Sequence, residues 1–187
     1  TAALALGLWL RGEIRHSITP QHRRFALITG VIIGLHWFTF FAAIKLANVS
    51  ICLIAMATTS LFTAATEAIH ERRRPYPHEI LLGALIVPAI ILIAGVESGH
   101  LLGLFCGILS AVLAAIFPIF NKVMVREGGK ASVITFYEML TASLICVVAS
   151  ICLGHTWEKA IPQGMDWLWL AILAIVCTVY AFSLHIR

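Results

Sequence analysis

Residues 25–44 read FALITGVIIGLHWFTFFAAI, twenty residues without an Asp, Glu, Lys or Arg. An α-helix rises about 1.5 Å per residue, so a run of this length covers the roughly 30 Å hydrocarbon core of a bilayer. A transmembrane barrel strand needs only about half as many residues. The stretch therefore predicts a membrane-spanning helix.

The composition of the whole chain agrees with this interpretation. Of 187 residues, 60% are hydrophobic and 12% are charged, against about 45–50% and 25% in soluble domains. A soluble fold could not bury so much apolar surface. The net charge of +4 would suit a nucleic-acid partner, but its distribution along the chain is better explained by a membrane, so no nucleic acid is predicted.

Apolar blocks of similar length recur along the chain. They predict six complete spans: 25–44, 50–70, 79–96, 101–121, 131–153 and 166–186. Residues 1–10 are interpreted as the end of an earlier span, because neither a Met nor a basic segment precedes them as in a signal peptide. We expect the chain to be a fragment of a longer protein.

Basic residues alternate between the connections. Eleven of the thirteen Lys and Arg residues fall in every second connection, and cytoplasmic loops are the ones enriched in these residues. The prediction is a multi-pass protein of the cell (plasma) membrane in contact with the lipid bilayer. Its cytoplasmic loops would be 11–24, 72–74 and 122–130.

Small residues at helical spacing and two prolines occur within the predicted spans. Gly30 with Gly34 forms one small-residue face, and a second one consists of Gly99, Gly103, Gly107, Ala111 and Ala114. Such faces let helix backbones approach closely, so both are predicted packing surfaces. Pro88 and Pro118 each remove a backbone hydrogen bond and predict kinks that serve packing or line a cavity.

Polar residues inside the spans are the candidate functional residues, because ionisable groups are costly there. His36 lies mid-span beside Trp37, Phe40 and Phe41, either in contact with a substrate or proton or as a hydrogen-bonded structural histidine. In 50–70 the polar residues share one helical face, which either lines an aqueous path or bonds to a neighbouring helix. They are Thr59, Ser60, Thr63, Thr66, Glu67 and His70.

Nearer the predicted cytoplasmic face lie Asn121, Tyr137 and Glu138. Interface anchoring is the alternative to a functional role for these three. Nucleotide-binding, serine hydrolase and zinc-protease motifs are absent from the sequence, and no metal, cofactor or enzyme activity is predicted. An intramembrane enzyme that uses His36 with Glu67 or Glu138 as acid and base remains an alternative.

Two patterns suggest an internal repeat and a family. Residues 38–45, FTFFAAIK, match 180–187, YAFSLHIR, and the charge alternation gives the two segments opposite directions, as in inverted-repeat transporters. The stretches HWFTFFAAIKLANVSICLI, TTSLFTAATEAIHERRRPYPHEILLGALIV, the helix from Gly103 to Asn121 and ITFYEML follow in the order and spacing of one family. With them the chain resembles the EamA-type transporters of the drug/metabolite transporter superfamily over nearly all of its length.

The resemblance implies an all-α integral membrane bundle, part of a ten-helix fold of two inverted five-helix repeats (5+5). Residues 1–97 would form most of the N-terminal repeat and 98–187 the first three helices of the second. The implied cavity helices carry these candidate substrate-binding residues: His36, Trp37, Phe40, Thr59, Ser60, Thr63, Pro118, Asn121 and Tyr180. Glu67 and Glu138 are candidates for gating or proton coupling. The sequence departs from the family at Ser60, where proline is common, and at 87–88, where a glycine-containing pair is common.

The expected function is a secondary transporter that moves a small organic metabolite by alternating access. Export is the direction that the resemblance implies, the partners are the substrate and the bilayer, and a homodimer is compatible with it. The alternatives are the intramembrane enzyme and a membrane scaffold that transports nothing. If the polar residues line a water-filled cavity, the transporter is favoured; if helix contacts use them up, the scaffold is favoured.

Overall fold

A computed structural model describes residues 18–96, 98–154 and 161–173 of the chain. Within them the backbone is helical and has no strand. The α-helices are α1 (Pro20–Leu46), α2 (Val49–Ala57), α3 (Thr59–His70), α4 (Pro77–Ala84), α5 (Ile86–Val96), α6 (Leu101–Arg126), α7 (Ala131–Cys152) and α8 (Asp166–Ile172). A short 3-10 helix, Ser98–His100, precedes α6.

Within the described residues, four segments are long and apolar enough to cross a membrane: Pro20–Leu46, Val49–His70, Leu101–Arg126 and Ala131–Cys152. They contain the predicted spans 25–44, 50–70 and 101–121 and nearly all of 131–153. The prediction of a helical membrane protein is thereby confirmed. The count of six spans and the ten-helix repeat stay predictions.

The predicted span 79–96 consists of two short helices, α4 and α5, that meet at Leu85. Pro88 has no N–H to donate to the carbonyl of Ala84, and its ring collides with that carbonyl. The break therefore falls just before the proline, as its position predicts. Of the predicted span 166–186 only the start is described, as α8, and residues 1–10 lie outside the described part.

The glycine face of α1 lies against α7. A Cβ atom at Gly30 would approach the backbone oxygen of Glu138 and the Cβ of Thr141 to 2.7 Å, and one at Gly34 would lie 2.8 Å from the Cβ of Ile145. Only glycine allows the backbones to come this close. This predicted packing surface is confirmed.

The second glycine face belongs to α6. A Cβ at Gly103 would lie 2.5 Å from the Cβ of Ala47, and one at Gly107 would lie 2.6 Å from the Cβ of Ala55. The end of α1 and all of α2 thus pack closely on α6, and the prediction is confirmed for these two glycines. Gly99 has no atom within 4 Å of the Cβ position, because it lies in the 3-10 helix before α6.

The second span is interrupted at its middle. α2 ends at Ala57 and α3 begins at Thr59, with the buried Thr58 between them. The hydroxyl groups of Thr58 and Thr59 donate to the carbonyls of Ala55 and Met56, each at 2.6 Å, a pattern that bends helices. The break is therefore made by hydroxyl groups in a segment without proline, whereas α6 is continuous through Pro118.

The basic connections meet at one end of the bundle. His22 bonds to Glu127, and Lys122 bonds to Glu71. The start of α1 therefore lies close to the turn after α3 and to the end of α6. At the opposite end the Nδ1 atom of His100 lies 3.3 Å from the carbonyl oxygen of Leu46. We name these the basic end and the outer end; which of them faces the cytoplasm stays a prediction.

Candidate functional site

His36, Ser110 and Thr58 lie at one depth in the bundle. They are nine or ten residues from the outer ends of α1, α6 and α2, which is about 14–15 Å at the helical rise. That depth is close to the centre of a hydrocarbon core about 30 Å thick. We call this level the middle layer.

The imidazole of His36 is held by Ser110 of α6. The Nδ1 atom lies 2.9 Å from the Ser110 carbonyl oxygen and 2.8 Å from its Oγ, and that Oγ donates to the carbonyl of His36 at 3.0 Å. Since both neighbours of Nδ1 can accept, Nδ1 carries the proton. In the neutral ring Nε2 is then an acceptor, and within the described residues it makes no hydrogen bond.

Aromatic rings flank this imidazole. The ring centroids of Phe40 and Phe117 lie 6.3 Å and 6.4 Å from that of His36. Trp37 and Phe117 both pack against the cluster of Ile33, Met139 and Ala142, in the seam between α1 and α7. The structure thus brings His36, Phe40 and Phe117 together and places Trp37 on the same apolar cluster as Phe117.

The predicted hydroxyl residues of α3 bond mostly to carbonyls of the preceding turn of the same span. Thr59 and Ser60 donate to carbonyls three residues earlier. Thr66 donates to carbonyls of its own helix at 2.7 Å and 3.1 Å and lies 3.3 Å from the carbonyl oxygen of Ala115 on α6. Thr63 is half-buried and Ser60 is exposed. The half of this face that is nearer the basic end therefore contacts α6.

Glu67 belongs to an ion network at the basic end. It lies 3.9 Å from both Arg73 and Lys122, while Glu71 is bonded by Arg73 at 2.8 Å and by Lys122 at 2.9 Å. The hydrogen bonds from Lys122 and then Arg73 lower the pKa of Glu71 from 4.5 to about 2. The bond from Glu71 raises the pKa of Arg73. Glu67 thus has basic partners at the end of its span.

Glu138 has very different surroundings. Its side chain is fully buried between α7, α6 and α1, and the amide Nδ2 of Asn121 donates to its Oε2 at 3.3 Å. The carboxyl Oε1 and the Asn121 Oδ1 are buried and have no hydrogen-bond partner in the part of the chain that the structure describes. Interface anchoring therefore does not describe Glu138, which is enclosed within the bundle.

The sequence alone did not identify Ser110, Phe117 and Thr29. Ser110 and Thr29 are buried, and a lone Ser or Thr in an apolar helix bonds to its own backbone so commonly that it carries little signal. Phe117 precedes Pro118, which was predicted for the site but is exposed. Tyr180 lies outside the described residues.

Cavities border the described helices at both ends of the bundle. One, of about 400 Å³, lies toward the outer end between α1 and α7 and is bordered by Phe38, Phe41, Lys45 and Ser150. The other, of about 250 Å³, lies at the basic end near His70, Phe120 and Glu127. Neither includes a residue of the predicted substrate set.

The part of the chain that the structure describes holds no group of three His, Cys, Asp or Glu side chains able to bind a metal. Comparisons with protein-family models, with curated proteins and with solved structures found no match to this chain. The functional argument therefore rests on the geometry of the polar residues.

Proposed function

We propose that this chain is part of a secondary transporter that carries a small organic molecule across the membrane by alternating access. The observation that carries the proposal is the held imidazole of the middle layer. His36 is fixed by Ser110, flanked by Phe40 and Phe117, and keeps Nε2 without a partner among the described residues. An oriented polar atom between apolar rings is the usual composition of a small-molecule site.

The depth of His36 supports the same proposal. Transporters commonly place their substrate at mid-membrane, and the irregular turn at Thr58 lies at this depth. The closely packed glycine faces of α1 and α6 add smooth contacts along which helices can slide. The implied EamA-type repeat, with its export direction, belongs to this proposal.

The expected substrate has an apolar body and at least one hydrogen-bond donor. In the neutral imidazole with its proton on Nδ1, Nε2 accepts a hydrogen bond from a donor group of the substrate, while the two phenylalanine rings contact its apolar part. The proposed contact residues are His36 and Phe40, which the sequence also predicts, and Phe117. Ser110 is a positioning residue that orients the ring.

The test is solute exchange by the complete protein that contains this chain, reconstituted in lipid vesicles. Labelled metabolites are offered in turn against an excess of the same unlabelled compound inside. We expect saturable exchange for one chemical class. For that class His36→Phe should raise the KM about five- to tenfold, because the loss of one hydrogen bond costs about 1–1.4 kcal/mol.

Ser50→Ala is the matched control, because Ser50 is exposed near the outer end of α2. It should leave the KM unchanged. If folded protein exchanges no member of a broad metabolite panel, the transport proposal is wrong. If exchange occurs with an unchanged KM in His36→Phe, the site is placed wrongly.

A membrane scaffold is the second candidate, and one observation favours it. The polar face of α3 is largely used in contacts, since Thr66 reaches Ala115 and Glu67 lies near Lys122. The same vesicle experiment separates the candidates, because a scaffold exchanges nothing. The enzyme alternative gains no support, since His36 bonds to Ser110 and the two carboxyl groups bond to other residues.

A further inference from the structure

The carboxyl group of Glu138 is enclosed where three helices meet. It lies seven residues inside α7, Asn121 lies five residues before the end of α6, and Thr29 lies nine residues after the start of α1. At the helical rise these positions are about 8–14 Å from the basic end. Gly30 brings the α1 backbone against Glu138 itself, which leaves no room for solvent on that side.

The carboxyl of Glu138 has more acceptor sites than the described residues fill. An ionised Glu138 and the amide of Asn121 together present three acceptor oxygens, and the Asn121 Nδ2 donates to Oε2 at 3.3 Å. The hydroxyl of Thr29 is a further partner of the carboxyl, but its single proton is shared with the carbonyls of Phe25 and Ala26 at 3.0 Å and 3.1 Å. Within the described residues, the Glu138 Oε1 and the Asn121 Oδ1 are buried without a partner.

Among the residues that the structure describes, no basic side chain pairs with the carboxyl. On α1, His22 lies two turns from Thr29 toward the basic end and bonds to Glu127. Arg23 and Arg24 are exposed. His36 lies two turns from Thr29 in the other direction and bonds to Ser110. On α6, Lys122 pairs with Glu67 and Glu71, and Arg126 is exposed at the helix end. On α7, Tyr137 and the preceding Lys130 are the nearest titratable groups. The Glu138 carboxyl contacts none of these side chains.

We propose that Glu138 is a proton-binding site that is occupied when α1, α6 and α7 are packed as in this structure. A proton supplies the missing donor and removes a charge that is costly inside a membrane. A metal cation fits less well, because hard cations take about six or more oxygen ligands and Asn121, Glu138 and Thr29 offer too few.

Release of this proton requires the seam to open. When α7 separates from α1, water reaches the carboxyl, the O–H bond breaks, its electron pair stays on the carboxylate and the proton goes to water. Exchange toward the basic end follows from the depth of the site. The role of this exchange in driving solute movement rests on the proposed transport function.

The first measurement needs no substrate. Infrared spectra of the complete protein in lipid at neutral pH should contain the C=O band of a buried protonated carboxyl, and Glu138→Gln should remove it. Glu79→Gln is the matched control, because this half-buried carboxyl in the first turn of α4 lies 3.7 Å from Arg73, and glutamine preserves its capping role. If the band is absent, or survives in Glu138→Gln, the proton site is wrong.

The second measurement tests coupling in vesicles that exchange a substrate. A pH gradient should drive accumulation up to about tenfold per pH unit for one proton. Glu138→Gln should keep exchange and lose this accumulation. If the variant still accumulates substrate, or if a Na⁺ gradient replaces the pH gradient, proton coupling through Glu138 is wrong although transport stands. If no solute is exchanged at all, the transport proposal fails and the infrared result still decides the proton site.

Discussion

Helix α6 is packed on two sides whose polar groups differ in how they are satisfied. Toward α1 and α7, His36 keeps a ring nitrogen and Glu138 keeps a carboxyl oxygen that bond to no other described residue. Toward α3 and the turn after it, Thr66, Glu67 and Glu71 all have partners. Paired polar groups hold helices together, whereas enclosed groups with spare bonding capacity mark a functional site.

The largest effect is expected where the two backbones touch. Gly30→Ala places a Cβ 2.7 Å from the backbone oxygen of Glu138, and a backbone cannot yield as a flexible side chain does. We expect a loss of about 1–3 kcal/mol in the free energy of unfolding, measured by denaturant titration in detergent micelles. Gly99→Ala, with open space around it, should change little. Equal stability of the two variants would contradict the close seam between α1 and α7.

A smaller loss is expected at the middle layer. Ser110→Ala removes the hydroxyl that donates to the His36 carbonyl but keeps the backbone carbonyl that holds Nδ1. Loss of this hydrogen bond should cost about 1 kcal/mol of stability, and the freer imidazole should raise the substrate KM. Ser50→Ala is the control in the same unfolding titration. If the KM is unchanged while stability falls, Ser110 serves packing alone.

The α3 side should respond less. Thr66→Val removes the single hydroxyl that reaches Ala115, and hydrogen bonds between membrane helices average about 0.6 kcal/mol. The unfolding titration should show a loss of that order, with transport unchanged. Thr63→Val is not a suitable control, because Thr63 belongs to the candidate substrate set; Thr141→Val, whose hydroxyl bonds within its own helix, is suitable. A strong transport defect in Thr66→Val would move the functional site toward α3.

The smallest effect is expected at the ion network of the basic end. The lowered pKa of Glu71, about 2 in the folded protein against 4.5, means that its pairs with Lys122 and Arg73 stabilise the fold above about pH 4.5. This contribution is lost as the pH falls from about 4.5 through about 2. Exposed pairs contribute little, so Glu71→Gln should lower the midpoint of unfolding slightly at neutral pH and by less at low pH. A large, pH-independent loss would contradict this account.

The helices were more predictable than the site, for a physical reason. Uninterrupted apolar runs specify spans such as 25–44 directly, and the glycine spacing predicts which faces of α1 and α6 pack closely against other helices. The division of span 79–96 at Leu85 was foreseeable from Pro88. The bend at Thr58 was not, since it depends on hydroxyl groups that bond backward along the helix, a choice that the sequence leaves open.

The partners of the site residues were not predictable. His36, Glu67 and Glu138 were visible as polar groups in apolar segments, but whether each one is paired depends on residues far away in the chain, such as Ser110, Lys122 and Asn121. Glu67 and Glu138 were placed in one class by the sequence. Their surroundings separate them, because only Glu67 has basic side chains nearby.

If the middle layer serves a solute and not packing alone, water must be able to reach the side chain at position 36. In the complete protein with its native cysteines replaced, His36→Cys and Leu35→Cys would be treated in membrane vesicles with a charged thiol reagent. Leu35 is 42% exposed on the same helix, borders neither of the two cavities described above and should face lipid. We expect modification of His36→Cys, slowed by a transported substrate, and little modification of Leu35→Cys. An unreactive His36→Cys in folded protein would contradict the account and favour the scaffold.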